Sequence, residues 1–239
     1  MSLLFGNRNK MNMDITFLGY SPRTYPVLLE IASAALGIDA SDLKVQVVSN
    51  LPQTQGFAPP ESPESWASPE FLHISEWNSD DRGILLPGVM REPAVSKVWE
   101  AFHHLKGIRR EHLGTLVHPS AVISPSAQIG EGTWIHPNVT IWSMSRIGFC
   151  CHVNRNSSLA HHSILGDFSR LNAGVHTSGY CEIGMRTTLG SGSCTKENIK
   201  IGNDCLVGAG AVVVKNGPDG HLGIGVPVRW SPRTDLNDF

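Results

Sequence analysis

From Val117 onward the chain repeats itself every six residues, and the repeat does not slip through Val213. The anchors are Val117, Ile123, Ile129, Ile135, Ile141, Ile147, Val153, Leu159, Leu165, Leu171, Thr177, Ile183, Leu189, Thr195, Ile201, Val207 and Val213. The two that are not aliphatic, Thr177 and Thr195, stand eighteen residues apart. Four residues after most anchors comes a small side chain, as at Ala121, Thr133, Cys151, Ser163, Ser169 and Ala211, and glycine often follows the anchor directly, as in IGEGTW and VGAGAV. A period of six is neither the 3.6 of an amphipathic helix nor a simple two-fold alternation. It is the mark of a solenoid in which each hexad supplies a short strand and a turn. The branched residue fills the interior, the small one sits where the chain bends, and stacked rungs about 4.8 Å apart bury one continuous apolar column.

The other sequence signals narrow the class of molecule. The 239 residues can bury a core of useful size, and a formal net charge of −2 provides no basic field for nucleic acid. No apolar run approaches the length of a membrane span, so neither nucleic acid nor membrane is expected as a partner. The opening MSLLFGNRNKMNM lacks the apolar stretch and cleavage site of a secretory signal, and a cytoplasmic location is expected. Five cysteines with no CxxC pair fit reduced thiols better than disulfides or a zinc site.

Residues 14–112 follow a different grammar. DITFLG, KVQVVS and ILLP read as strands, and PVLLEIASAALG reads as a helix ended by Gly37. In the segment beginning REPAVSKVWEAFHHLKG, residues Ala94, Val95, Val98, Trp99, Phe102 and Leu105 recur at helical spacing and predict one apolar face. A loop rich in proline and serine, LPQTQGFAPPESPESWASPE, separates the second strand from the third. Strand, helix, strand, strand, helix is the order of a small parallel sheet. The expected organisation is a leader at 1–13, an α/β N-terminal domain at 14–112, an all-β solenoid at 113–230 and a tail at 231–239.

Three stretches carry a resemblance: LGTLVHPSAVISPSAQIGEGTWIHPNV at 113–139, SLAHHSILGDF at 158–168 and GVPVR at 225–229. With the hexads they resemble the hexapeptide-repeat acyltransferases and, more narrowly, the bacterial sialic acid and nucleotide-sugar acetyltransferases. That resemblance implies a left-handed parallel β-helix with three hexads per triangular coil, preceded by a Rossmann-like α/β domain. It also implies acetyl-CoA as acyl donor, a nucleotide-linked amino sugar as acceptor in surface-polysaccharide or glycan synthesis, a homotrimer with the cofactor between subunits, and no metal. His161 falls at the position of the family's general base. Arg170, Gly190, Ser191, Gly208 and Ala209 fall where the family meets the cofactor. Gly19, Tyr20, Ser21, Arg23 and Gly88 fall where it meets the nucleotide sugar. Lys215 and Arg229 are candidate partners for the cofactor's phosphates.

Eighteen residues per coil would place Gly190 under Gly208 and Ser191 under Ala209, an edge of small residues that a cofactor could approach closely. Tight corners could require the same glycines. His161 and His162 occupy the third and fourth places of their hexad and should lie outside, near a corner. An imidazole there suits general-base catalysis of acetyl transfer to an amine or hydroxyl, although a surface histidine can equally be inert. Many relatives carry an acid beside this base; here Ala160 precedes it and His162 follows, with Asp167 a candidate substitute. Two other readings stay open: a trimeric sugar- or CoA-binding scaffold whose catalysis is impaired, and a zinc-dependent carbonic anhydrase, whose histidine spacing this sequence does not show.

Overall fold

The computed structural model describes residues 14–50, 66, 69–78 and 83–234. The leader at 1–13, most of the proline- and serine-rich segment and residues 235–239 of the tail lie outside the described residues. The chain divides into two compact units between Leu116 and Val117. No helix among the described residues is long and apolar enough to cross a membrane.

The first unit is built on a four-stranded, wholly parallel sheet. Its strands are β1 (Asp14–Leu18), β2 (Lys44–Ser49), β3 (Glu70–His73) and β4 (Ile84–Pro87), in the spatial order β3-β2-β1-β4. Parallel strands need crossovers, and helix α1 (Tyr25–Leu36) connects β1 to β2. Gly37 ends it in the left-handed conformation, with its N–H bonded to the Ser33 carbonyl. Ile15, Phe17, Leu29, Val47, Leu86 and Phe102 are buried in this unit's core. Strand β3 corrects the sequence reading, which has one strand fewer. It is a short, half-buried edge strand directly after the proline- and serine-rich segment, so neither length nor alternation announces it. Helix α2 (Ala94–Lys106) also departs from expectation, because only Val95 and Phe102 of its predicted face are buried and Leu105 is 67% exposed.

The second unit is a parallel β-helix with three faces and eighteen residues per coil. The first face stacks Trp134–Ile135, His152–Val153, Arg170–Leu171, Thr188–Leu189 and Leu206–Val207, and closes with a hairpin of His221–Ile224 and Arg229–Pro232. The second face stacks Val122–Ile123, Thr140–Ile141 and Ser158–Leu159, and continues through His176 to Cys194–Thr195 and Val212–Val213. The third stacks Gln128–Ile129, Arg146–Ile147, Ile164–Leu165, Glu182–Ile183 and Lys200–Ile201. The anchors from Ile135 onward are buried and form one continuous cluster, Thr177 and Thr195 included among the buried residues. The last coil is shorter: Leu206 pairs with Leu222, sixteen residues on.

Backbone hydrogen bonding explains the turns. Every sixth residue from Gly132 to Gly210 has a positive φ, and ten of these are not glycine, His162 at +58° and Tyr180 at +57° among them. A left-handed residue with a side chain costs about 1–2 kcal/mol. Offsetting this, the N–H at this position reaches back to the preceding coil, as from His162 to Ser143 (3.0 Å), Phe168 to Phe149 (2.8 Å) and Tyr180 to His161 (3.1 Å).

The small residues four after the anchors do more than fit a bend. Ser169 Oγ donates to the Gly184 carbonyl at 2.6 Å and accepts from the Thr187 N–H at 3.0 Å. Thr133, Ser157, Ser163 and Thr187 make the same pair of bonds to the coil ahead. The cysteines are free thiols, four of them buried, and burial pushes the Cys151 thiol up to about 12.

Candidate active site

His161 sits at the corner where the chain leaves the second face for the third. Its imidazole is exposed, and Nδ1 lies 3.1 Å from Nδ1 of the neighbouring exposed His162. One coil on, Gly179 and Tyr180 occupy the corresponding places. A Cβ at residue 179 would stand 2.6 Å from Cε1 and 2.8 Å from Nε2 of His161, so the missing side chain makes room for the imidazole. The Tyr180 ring meets His161 edge-on, with centroids 5.2 Å apart, and stacks on His162 at 4.8 Å and 20°. Sequence reasoning named the two histidines and missed Gly179 and Tyr180, although adding eighteen to 161 and 162 finds both.

Asp167 does not serve this corner. It turns the next corner, between the third face and the first, and its Oδ1 accepts the Phe149 N–H at 2.9 Å. The ring of His161 therefore has an imidazole rather than a carboxylate as its hydrogen-bonding neighbour.

The predicted cofactor residues lie elsewhere on the prism. Ser191 and Ala209 are exposed at the corner between the first and second faces, one above the other, with Arg170 half-buried on the first face. Within one chain they do not meet His161. Gly190 and Gly208 have normal φ values, and close stacking accounts for them. A Cβ on Gly190 would stand 2.6 Å from the Ala209 nitrogen, and one on Gly208 would stand 2.9 Å from Ile224. Their N–H groups are bonded to the carbonyls of Val207 and Gly223.

Arg170 follows His152 in the stack, and His152 Nε2 is hydrogen-bonded to His136 Nε2. Burial, followed by Arg170, Arg155 and His118, lowers the His136 imidazole to about 3. Burial, followed by His136 and Arg170, holds His152 well below the usual histidine range. Two buried imidazoles beside a guanidinium are a poor setting for a cation, and the described residues contain no group of three or more His, Cys, Asp or Glu able to hold a metal.

Further along the edge that carries His161 is a cleft of about 360 Å³ lined by Lys196, Glu197, Asn198, Ile199, Val214, Lys215 and Asn216. Lys215 stands three coils beyond His161, about 14 Å at the usual strand spacing. Arg229 is exposed in the closing hairpin.

In the first unit the five predicted acceptor residues gather at the carboxyl ends of β1 and β4. These two strands are neighbours in the sheet, and open α/β sheets bind ligands outside the carboxyl ends of their strands. Gly19 has φ +84° and donates to the Val48 carbonyl. A Cβ on Gly88 would stand 2.0 Å from the Gly19 carbonyl oxygen, so the approach of these two strand ends requires glycine. Tyr20 packs edge-on against Phe71 at 4.9 Å, and burial raises its phenol. The Ser21 carbonyl accepts the N–H groups of Thr24 and Tyr25 as α1 begins, with Arg23 exposed beside it.

No family model and no curated protein sequence matches the chain. Solved structures do. The acetyltransferase domain of PglB from Neisseria gonorrhoeae, in complex with acetyl coenzyme A, superimposes with a TM-score of 0.74 at 23% identity, covering 92% of this chain and 100% of that one. The chain shares its fold with acetyltransferases. PerB from Caulobacter crescentus, in complex with CoA and GDP-perosamine, gives 0.72 at 25% identity over 97% of this chain and 100% of its own. WeeI from Acinetobacter baumannii gives 0.73 at 20% over 92% and 100%. The likeness spans both units.

Proposed function

We propose that this protein is an acetyl-CoA-dependent acetyltransferase whose acceptor is an amino or hydroxyl group of a sugar, nucleotide-linked, used in surface-polysaccharide or glycan synthesis. The observation that carries the reading is a fold shared along nearly the whole chain with acetyltransferases, one of them in complex with CoA and GDP-perosamine. In this reading the β-helix is left-handed, and the first unit is a Rossmann-like domain that receives the nucleotide sugar at Gly19, Tyr20, Ser21, Arg23 and Gly88. The working form is a cytoplasmic homotrimer. Exposed Val122, Trp142, Met144 and Tyr180 on the second face and its following corner supply an apolar surface for a second copy.

A trimer brings together what one chain keeps apart. The corner with Ser191 and Ala209, flanked by Arg170, Gly190 and Gly208, faces the His161 corner of a neighbour, and the acyl donor lies in the seam. Lys215, in the cleft on the His161 edge, and Arg229 are the cations for its phosphates. Acetyl-CoA supplies an acyl group at thioester reactivity. His161 Nε2 takes the proton that the acceptor nitrogen or oxygen loses as it attacks the carbonyl, and the resulting imidazolium returns a proton to the departing thiolate. Such a base contributes about 10²–10⁴ in rate.

The test is release of free thiol from acetyl-CoA in the presence of UDP-, GDP- and CMP-linked amino sugars. His161→Ala is expected to reduce kcat by at least about 10²; full activity in that variant would remove the assignment. A second reading, a trimeric sugar- or CoA-binding scaffold without catalysis, is favoured by the imidazole where a carboxylate would make His161 a stronger base. It predicts calorimetric binding of acetyl-CoA without turnover on any acceptor.

A further inference from the structure

The corner at 161–162 contains more than a base. The two imidazoles meet through the same ring nitrogen, Nδ1 to Nδ1 at 3.1 Å and nearly perpendicular at 86°. His162 has little freedom to leave this arrangement. Its backbone is in the left-handed conformation, its N–H is bonded to the Ser143 carbonyl, and its ring lies flat on Tyr180.

We infer that His162 is a positioning residue, an acceptor at Nδ1 that selects the Nδ1–H tautomer of His161 and leaves its Nε2 lone pair free toward the substrate. This deepens the general-base reading of His161 and rests on it. A hydrogen bond between two nitrogens needs one donor and one acceptor. For Nε2 of His161 to accept a proton, its ring proton must stand on Nδ1. It is donated to Nδ1 of His162, which then carries its own proton on Nε2. Protonation of His162 turns that Nδ1 into a donor. The bond then survives only if His161 shifts its proton to Nε2, the tautomer that cannot act as a base there. An acid beside the base would not fail in this way until a much lower pH. The dyad is therefore active only while both rings are neutral.

The groups around the pair leave this logic in place. Ser143 and Met144 from the coil before are uncharged, and Gly179 and Tyr180 come from the coil after. The nearest charged places on the same edge, Lys196 and Glu197, are a further coil away.

Asparagine at 162 separates the possibilities. It suits the left-handed backbone, as Asn138, Asn156 and Asn198 show at the same turn position. Its amide oxygen accepts from Nδ1–H but does not titrate. In the whole protein, His162→Asn should keep the plateau of kcat/KM within about threefold of the wild type. His162→Ala should lower the plateau about tenfold or more. Long-range ¹H–¹⁵N correlation of the imidazoles, which needs no turnover, should show His161 as the Nδ1–H tautomer at pH 8 in the wild type and His162→Asn, and a mixture in His162→Ala. A His161 tautomer unchanged by His162→Ala would overturn the inference, as would a tenfold or greater fall of the plateau in His162→Asn. A tautomer result as expected with His161→Ala fully active would uphold the dyad and remove the base.

Discussion

The imidazole of His161 rests in the space that a side chain at residue 179 would fill, 2.6 Å from the position of a Cβ there. Gly179 does not have positive φ, so alanine meets no left-handed backbone strain, and the three atoms nearest its Cβ all belong to the imidazole. Gly179→Ala should fold normally and move the imidazole outward. Misplacing a catalytic group by about 1 Å can cost about 10²-fold in rate. The expected outcome is a kcat lowered by that order with the KM for acetyl-CoA nearly unchanged and an unaltered melting temperature, checked by steady-state kinetics and thermal unfolding.

Ser169 tests the hydrogen-bond ladder inside the corners. Removing Oγ leaves the Gly184 carbonyl and the Thr187 N–H without this partner in a buried site. Unmade buried bonds cost about 1–3 kcal/mol. Ser169→Ala should lose stability of that size in urea unfolding with transfer activity retained, whereas a change of only a few tenths of a kcal/mol would show that the ladder contributes little.

How far the sequence could be read follows from which atoms hold each feature. The anchors are legible because one chemical requirement, a branched side chain, apolar everywhere except at Thr177 and Thr195, repeats at every interior place from Ile135 to Val213. The left-handed positions carry Asn, Met, Cys, His, Phe, Tyr, Arg and Asp as well as Gly. They are set by backbone bonds to the preceding coil, so no residue type marks them. Gly190 and Gly208 are legible as a pair, but spacing does not reveal the reasons for them, the backbone of the next coil against Gly190 and the Ile224 side chain against Gly208. Strand β3 was hidden by its shortness. His161 and His162 could be placed outside a corner from their hexad positions, while the Nδ1 contact depends on side-chain torsions that spacing does not specify.

Trp142 and Val122 lie on the second face, 55% and 65% exposed. If this face meets another copy in the proposed trimer, a charge there would be buried without a partner, which is strongly unfavourable. Trp142→Glu should reduce the mass measured by light scattering from three chains to one and abolish transfer, since the site would lack its second wall. A wild-type mass of one chain would remove the seam, and with it the cofactor placement at Ser191 and Ala209.

Acid should loosen the fold through His136 and His152. Both are buried, 4% and 3% exposed, and their Nε2 atoms share a hydrogen bond that requires at least one to be neutral. Burial and the nearby Arg170 lower both, His136 to about 3. In the unfolded chain each titrates near about 6.5. Where the folded value lies below the unfolded one, the unfolded state binds the proton first, so stability is complete above about pH 6.5 and is lost as the pH falls toward about 3. Carboxylates contribute to acid unfolding as well, and substitution isolates the histidine part. The double variant His136→Gln, His152→Gln should show a smaller decrease in urea midpoint between pH 7.5 and pH 4.5 than the wild type. Arg170→Met should also reduce the decrease, because a proton on either imidazole then meets one positive charge fewer. An equal decrease in all three proteins would mean that the pair already protonates in the folded state, with the burial of these rings relieved before the chain unfolds.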